Sequence, residues 1–185
     1  DAGCDRFTVH ARKAWLKGLS PKDNRNIPPL RYGDVHRLKR EFGEQIVEIN
    51  GGIKTLDSVD EQLKVTDGVM IGRAAYENPW LFADVDRRYY NAENPALSRA
   101  DAVRAMLPYI DEKVAGGTRL HSITRHMHMI FAGQAGGRAW RRHLSEFGLA
   151  AGATGAVVRD ALALVERVAV EVAERHAKWA ANGPV

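Results

Sequence analysis

Cysteine is almost absent from this chain. The single thiol, Cys4, excludes an internal disulfide and offers no cysteine cluster to a metal. That usage fits a reducing compartment, and the cytoplasm is the expected location. No apolar run reaches the roughly 18 residues needed to span a bilayer, and the N-terminal stretch lacks the basic-then-apolar order of a signal peptide. A soluble protein without a membrane or metal partner is therefore expected. Acidic residues are missing altogether between Glu112 and Glu146, a window that holds Lys113, Arg119, Arg125, Arg138, Arg141 and Arg142 with four of the seven histidines. The net charge of +4 is modest, so the signal lies in its distribution. A one-signed patch of this kind is the footprint of a polyanion partner; the alternative is a basic helix face that is merely solvated.

What the chain does contain is organised around Glu48-Ile49-Asn50-Gly51-Gly52-Ile53. An apolar run, Gln45 to Ile49, stops in a polar residue and two glycines, which is how a buried strand ends in an anion-accepting turn. Glycines let the backbone approach an anion closely, and Thr55 can cap the helix that follows. The pattern returns at Asp67-Gly68-Val69-Met70-Ile71, which ends in Gly72-Arg73. Two successive strand ends offering anion donors point to one shared phosphate. In (β/α)₈ barrels such a site is commonly built after strands seven and eight, and these two strands are numbered accordingly. The chain has 185 residues, whereas a full barrel usually needs about 250. The expectation is the C-terminal portion of a longer protein.

Phe7-Thr8-Val9 reads as strand six and ends in His10, a position that faces the active site in a barrel. Cys4 precedes this strand and reads as a small packing residue. Residues 11–30 form a long connection with Trp15, Leu16, Leu19 and Ile27, too apolar for disorder and long enough to be functional. Its interleaved Arg12, Lys13, Lys17, Lys22 and Arg25 suit nucleic-acid contact, or a solvated loop folded over the barrel mouth. Helices are expected over Tyr32 to Phe42, with Val35, Leu38 and Phe42 inward, and from Thr55 to about Leu63, with Leu56, Val59 and Leu63 inward. Asn78-Pro79 opens a helix through Tyr89.

The β pattern ends at a linker, 91–98. Beyond it, helices are expected from Ser98 to Gly116 with a kink at Pro108, from about Thr118 to Phe131, from Gly137 to Phe147 and from Gly155 to Ala181, joined by glycine turns as an antiparallel bundle. Arg138, Arg141 and Arg142 fall at i, i+3 and i+4 and project together, with Trp140 behind them. The fold class is thus α/β plus all-α: the last part of a (β/α)₈ TIM barrel, 1–90, then a helical bundle, 99–185.

The loop from His10 to Arg25, the Glu48-Ile-Asn-Gly-Gly-Ile block, Asp67-Gly-Val-Met-Ile-Gly-Arg, and the tail blocks Ile123-Thr-Arg-His-Met and Gly137-Arg-Ala-Trp-Arg-Arg-His-Leu-Ser closely resemble the flavin-dependent tRNA-dihydrouridine synthases, specifically the DusA subfamily. The resemblance implies an enzyme in which reduced FMN delivers hydride to C6 of a D-loop uridine, U20 or U20a, an enzyme acid protonates C5, and NADPH re-reduces the flavin. It implies that His10, Asn50, Gly51, Gly52, Gly72 and Arg73 hold FMN. It implies that Ser20, Asp23 and Asn26 meet tRNA along the loop, beside the Arg12 and Lys13 already read as nucleic-acid contacts from their charge, and that Arg138, Arg141 and Arg142 do so on the tail. The family's proton donor is a cysteine in the barrel's first half, upstream of these residues. Cys4 is not that residue, so no catalytic residue is assigned in this chain, and the 185 residues alone are expected to be inactive. A monomer is expected. Two other classes fit parts of the pattern: an FMN-dependent barrel oxidoreductase acting on a small pyrimidine, and a non-catalytic RNA-binding remnant. Neither accounts for the ordered blocks together.

Overall fold

The computed structural model describes residues 3–182. The chain divides into two compact units, Asp1–Ala75 and Tyr76–Val185. In the first, β1 (Arg6–His10), β2 (Ile46–Asn50) and β3 (Gly68–Met70) form a parallel sheet in that order. Helices α1 (Pro21–Asn24), α2 (Tyr32–Glu41) and α3 (Leu56–Leu63) lie in the connections, which gives the βαβ alternation expected of a parallel sheet. Side chains alternate across a strand. Val47 and Ile49 are therefore buried together on the face that α2 covers, while Arg6, Thr8 and His10 share the other face with Glu48 and Asn50. On that polar face Thr8 Oγ1 donates to Glu48 Oε2 at 2.6 Å, and Arg6 Nε lies 3.6 Å from Glu48 Oε1.

Local chemistry sets the element ends. Thr55 caps α3, its hydroxyl accepting from the Ser58 N–H at 3.1 Å. Strand β3 is shorter than the 67–71 run because the Asp67 carboxylate is spent as a staple: it accepts the Val47 N–H at 2.8 Å and the Lys39 ammonium at 2.7 Å. Those partners, Lys39 foremost, hold its pKa below the usual carboxylate value. In α3 the inward residue of the last turn is Gln62, not Leu63. Gln62 tolerates burial because its Oε1 pairs with His36 Nε2 at 2.9 Å. Phe42, expected inward, is exposed at the end of α2, where with Leu38, Phe7 and Val47 it lines an apolar hollow. Cys4 lines the same hollow but is exposed, its thiol donating to the Arg6 carbonyl at 3.2 Å. Among the described residues nothing buries Cys4, so it does not take the packing role read for it.

Among its described residues the second unit is helical: α4 (Arg73–Glu77, shared with the first unit), a 3₁₀ segment (Pro79–Asp84), α5 (Val85–Tyr90), α6 (Arg99–Ala115), α7 (Leu120–Thr124), α8 (Gly137–Phe147) and α9 (Ala156–Asn182). The division falls ahead of the 91–98 stretch because the intervening residues pack with the helices. The Tyr76 hydroxyl bonds His126 Nδ1, and the Arg99 guanidinium sits 5.3 Å over the Trp80 ring. The single helix expected from Pro79 to Tyr89 is instead a 3₁₀ turn and a short helix, broken where the Asp84 carboxylate takes Arg87 and Asn94. Ser98 caps α6 through the Asp101 N–H, and α6 runs through Pro108 to a Gly116 cap.

The helix expected over 118–131 stops at Thr124 and continues as successive three-residue turns. Side chains claim the carbonyls that would prolong it: Trp140 Nε1 donates to Met127 O at 3.0 Å, and Arg99 donates to Ile130 O. The core joins Val103 and Ile110 of α6 with Trp140 and Leu144 of α8 and with Val158, Leu162 and Val165 of α9, at the i, i+4 and i+7 spacing of one helix face. Beyond Val165 no described side chain of α9 is fully buried. Val170 and Trp179 are exposed. Among the described residues no helix is long and apolar enough to cross a membrane.

Candidate functional site

The C-terminal ends of the three strands bring together residues separated by up to sixty positions in sequence. His10 pairs with Asn50 in register, and Asn50 with Met70. The Asn50 amide donates to Met70 Sδ at 3.3 Å, and its backbone carbonyl accepts the Ala11 N–H at 2.7 Å. The chain then turns through Gly51 (φ 124°) and Gly52 (φ 71°), conformations that side chains of L residues rarely adopt. The turn is also close-packed from behind. A methyl added at Gly52 would lie 2.7 Å from Leu30 Cδ1, and one at Gly51 would lie 3.2 Å from Leu30 Cδ2 and 3.6 Å from His10 Cε1. At Gly72 an added methyl meets nothing within 4 Å, so the space beside this second strand end is open.

The electrostatics suit an anion. The His10 pKa is lowered from 6.5, first by partial burial and then by the guanidinium groups of Arg12, Arg73 and Arg25. The field that penalises an imidazolium there favours a negative group in the same place. Arg73 is tied into this arrangement, donating to Asn26 Oδ1 and, at 3.1 Å, to the Arg25 carbonyl. Arg12 donates to the Pro28 carbonyl, while its Nε is buried with no partner.

The long connection is more ordered than its composition implies. Ser20 caps the short helix α1, its Oγ accepting the Asp23 N–H and donating to Asp23 Oδ2 at 2.6 Å. These two residues and Asn26, which donates to Lys22 O at 3.1 Å, all make bonds within the loop. Lys13 is exposed. Asn24, not singled out from the sequence, clamps Trp15 reciprocally, accepting its N–H at 2.8 Å and donating to its carbonyl at 2.9 Å. Leu30 and Tyr32 were also missed. The Tyr32 hydroxyl donates to the Gly51 carbonyl at 2.7 Å across nineteen positions, a contact that no local pattern announces.

In the second unit, α8 turns Gly137, Trp140 and Leu144 into the core. Arg138 and Arg142 are exposed and Arg141 is half-buried on its other side. Among the described residues none of these three arginines makes an ion pair, whereas Arg104 holds Asp101 and Glu166 and Arg159 holds Asp111. Arg141 acts on His128, whose pKa is lowered by burial first, then by His121 and Arg141.

Residues 1–166 match the family model described as Dihydrouridine synthase (Dus). The tRNA-dihydrouridine(20/20a) synthase of Synechocystis sp. is 53% identical over 162 residues, which cover 88% of this chain and 48% of that protein. Proteins of the same name from Vibrio cholerae and Yersinia pestis are 47% identical over 163 residues and 51% identical over 162. Each match covers 88% of this chain, with 50% and 47% of the respective relative. The chain thus spans about half the length of the curated relatives it matches. On the extent of the family match, the chain belongs to the dihydrouridine synthase family.

Proposed function

We propose that the polypeptide carrying this chain is a tRNA-dihydrouridine synthase that reduces the 5,6 double bond of U20 or U20a, with FMN as its cofactor and NADPH as the source of reducing equivalents. The observation that carries the reading is the cationic strand-end cradle: a glycine pair at positive φ beside His10, with three guanidinium groups acting on that histidine. A flavin phosphate fits such a donor set, which offers backbone N–H groups and fixed cations. Gly51, Gly52, Gly72 and Arg73 would hold the phosphate, and His10 and Asn50 would contact the rest of the cofactor. FMN, when bound, supplies the hydride. The residues of this chain would bind and orient the cofactor; in this reading they do not supply the proton. Cys4 lies at the opposite end of β1 from His10, about 20 Å away at 3.3 Å per residue, so the acid is assigned to a cysteine upstream of these residues.

The three strands are read as strands six to eight of a (β/α)₈ barrel, and the helices over 99–185 as a tRNA-binding domain. The unpaired arginines of α8 support the latter. Arg12, Lys13, Ser20, Asp23 and Asn26 would meet the RNA along the loop. The protein is read as a cytoplasmic monomer, and the 185 residues alone as inactive. The test is purification of the full-length polypeptide, measurement of flavin released on denaturation, and incubation with NADPH and an unmodified tRNA transcript. Dihydrouridine mapped to position 20 or 20a is the expected result. A flavoprotein that leaves the transcript unchanged but reduces a free pyrimidine would refute the proposal.

A further inference from the structure

The turn that ends β2 places two consecutive glycines at positive φ. With no Cβ on either side, the peptide plane between them can turn over at little steric cost. That peptide is trans, so its C=O and N–H point in opposite directions. A half-turn would exchange the Gly52 N–H for the Gly51 carbonyl, replacing a donor with a repulsive acceptor wherever an anion sits.

One side chain opposes the exchange. The Tyr32 hydroxyl, from the first turn of α2, donates to the Gly51 carbonyl at 2.7 Å. The ring is well anchored for this task. Leu30, two residues earlier, lies against both glycines and bridges to Arg12, and the Arg31 N–H between them donates to the Ala11 carbonyl at 2.9 Å. With the carbonyl held toward Tyr32, the Gly52 N–H must face away from it, and Gly52 is the exposed member of the pair.

We propose that Tyr32 is a positioning residue of the anion cradle, latching the Gly51 carbonyl so that the Gly52 N–H stays presented to the phosphate of the cofactor. The proposal rests on the strand ends being an FMN phosphate site. Tyr32 acts through the backbone and does not itself touch the ligand. A tyrosine hydroxyl is protonated at neutral pH, and burial raises its pKa further, so the donor is present.

The test compares the wild-type and Tyr32→Phe forms of the full-length polypeptide, stripped of flavin and titrated with FMN and with riboflavin, which differ by the phosphate alone. Loss of one hydrogen bond's worth of preorganisation is expected to weaken FMN about fivefold, with riboflavin affinity unchanged and the urea midpoint slightly lowered, because the buried Gly51 carbonyl loses its donor. Equal weakening of both ligands would overturn the proposal in favour of a general packing role. Unchanged FMN affinity would overturn the latch and leave the FMN reading standing. A wild-type protein that binds FMN no more tightly than riboflavin would overturn both.

Discussion

Replacing Arg138, Arg141 and Arg142 together with glutamine removes three cations from α8 while keeping a good helix former at each position. No partner carboxylate is orphaned, because none of the three is ion-paired among the described residues, so the urea midpoint should move by no more than about 0.5 kcal/mol in stability. The effect on RNA binding is larger. Each phosphate neutralised on a duplex contributes about 0.9 to the slope of log affinity against log salt. Arg138 and Arg142 are exposed, and their loss should flatten the slope by about 1.8, a loss of roughly 60-fold in affinity at about 0.1 M salt relative to the 1 M extrapolation. Should half-buried Arg141 also reach a phosphate, the figures become about 2.7 and roughly 500-fold. Fluorescence anisotropy of labelled tRNA, titrated with the full-length polypeptide from about 50 to about 400 mM salt, reads both quantities. Parallel salt plots for variant and wild type would refute the assignment of this helix face to RNA, whatever the change in affinity at one salt concentration.

His10 should titrate below 6.5 in the ligand-free protein and move upward when phosphate is added, with proton uptake; an NMR titration of its ring that shows no upward shift would mean that no anion binds beside it. For stability the sign is that of a depressed histidine. The unfolded chain binds the proton first, so the contribution of His10 is complete above about 6.5 and falls as pH drops from there toward the lowered folded value. Trp140→Ala removes a fully buried ring that meets Phe131 edge-on at 5.0 Å, and it takes one of two donors from the Met127 carbonyl, which keeps the Ile130 N–H at 3.2 Å. A loss of about 3 to 5 kcal/mol is expected in chemical denaturation, and a loss below about 1 kcal/mol would refute the anchoring of α8 by this residue.

Where an element is fixed by near neighbours, the sequence shows it. Ser98 and Thr55 cap the helices they precede, and Gly137–Phe147 forms the helix its periodicity predicts, because caps and amphipathic stripes are local. The glycine pair after β2 was legible for the same reason. What escaped was set by distant partners. The helix expected after Thr118 is cut short by Trp140 and Arg99, which take its carbonyls from other helices. Gln62 enters the core in place of Leu63 because His36 supplies a hydrogen bond, and a hydrophobicity pattern cannot register that partner. Ser20, Asp23 and Asn26 were read through resemblance as RNA contacts. Their hydrogen bonds within the loop and to Arg73 give them a structural task as well.

The helix α9 is long, but its reach and its anchorage differ. Val158, Ala161, Leu162 and Val165 hold it in the core, and the family match stops at residue 166, within one position of the last buried side chain. Beyond it the described residues of α9 are exposed or half-buried, so the remaining turns, to Asn182, rest largely on helix propensity, which is marginal for a segment of about 15 residues in water. Among the described residues, the exposed positions of that stretch touch no buried side chain, so it is the part of the helix in which sequence drift costs least.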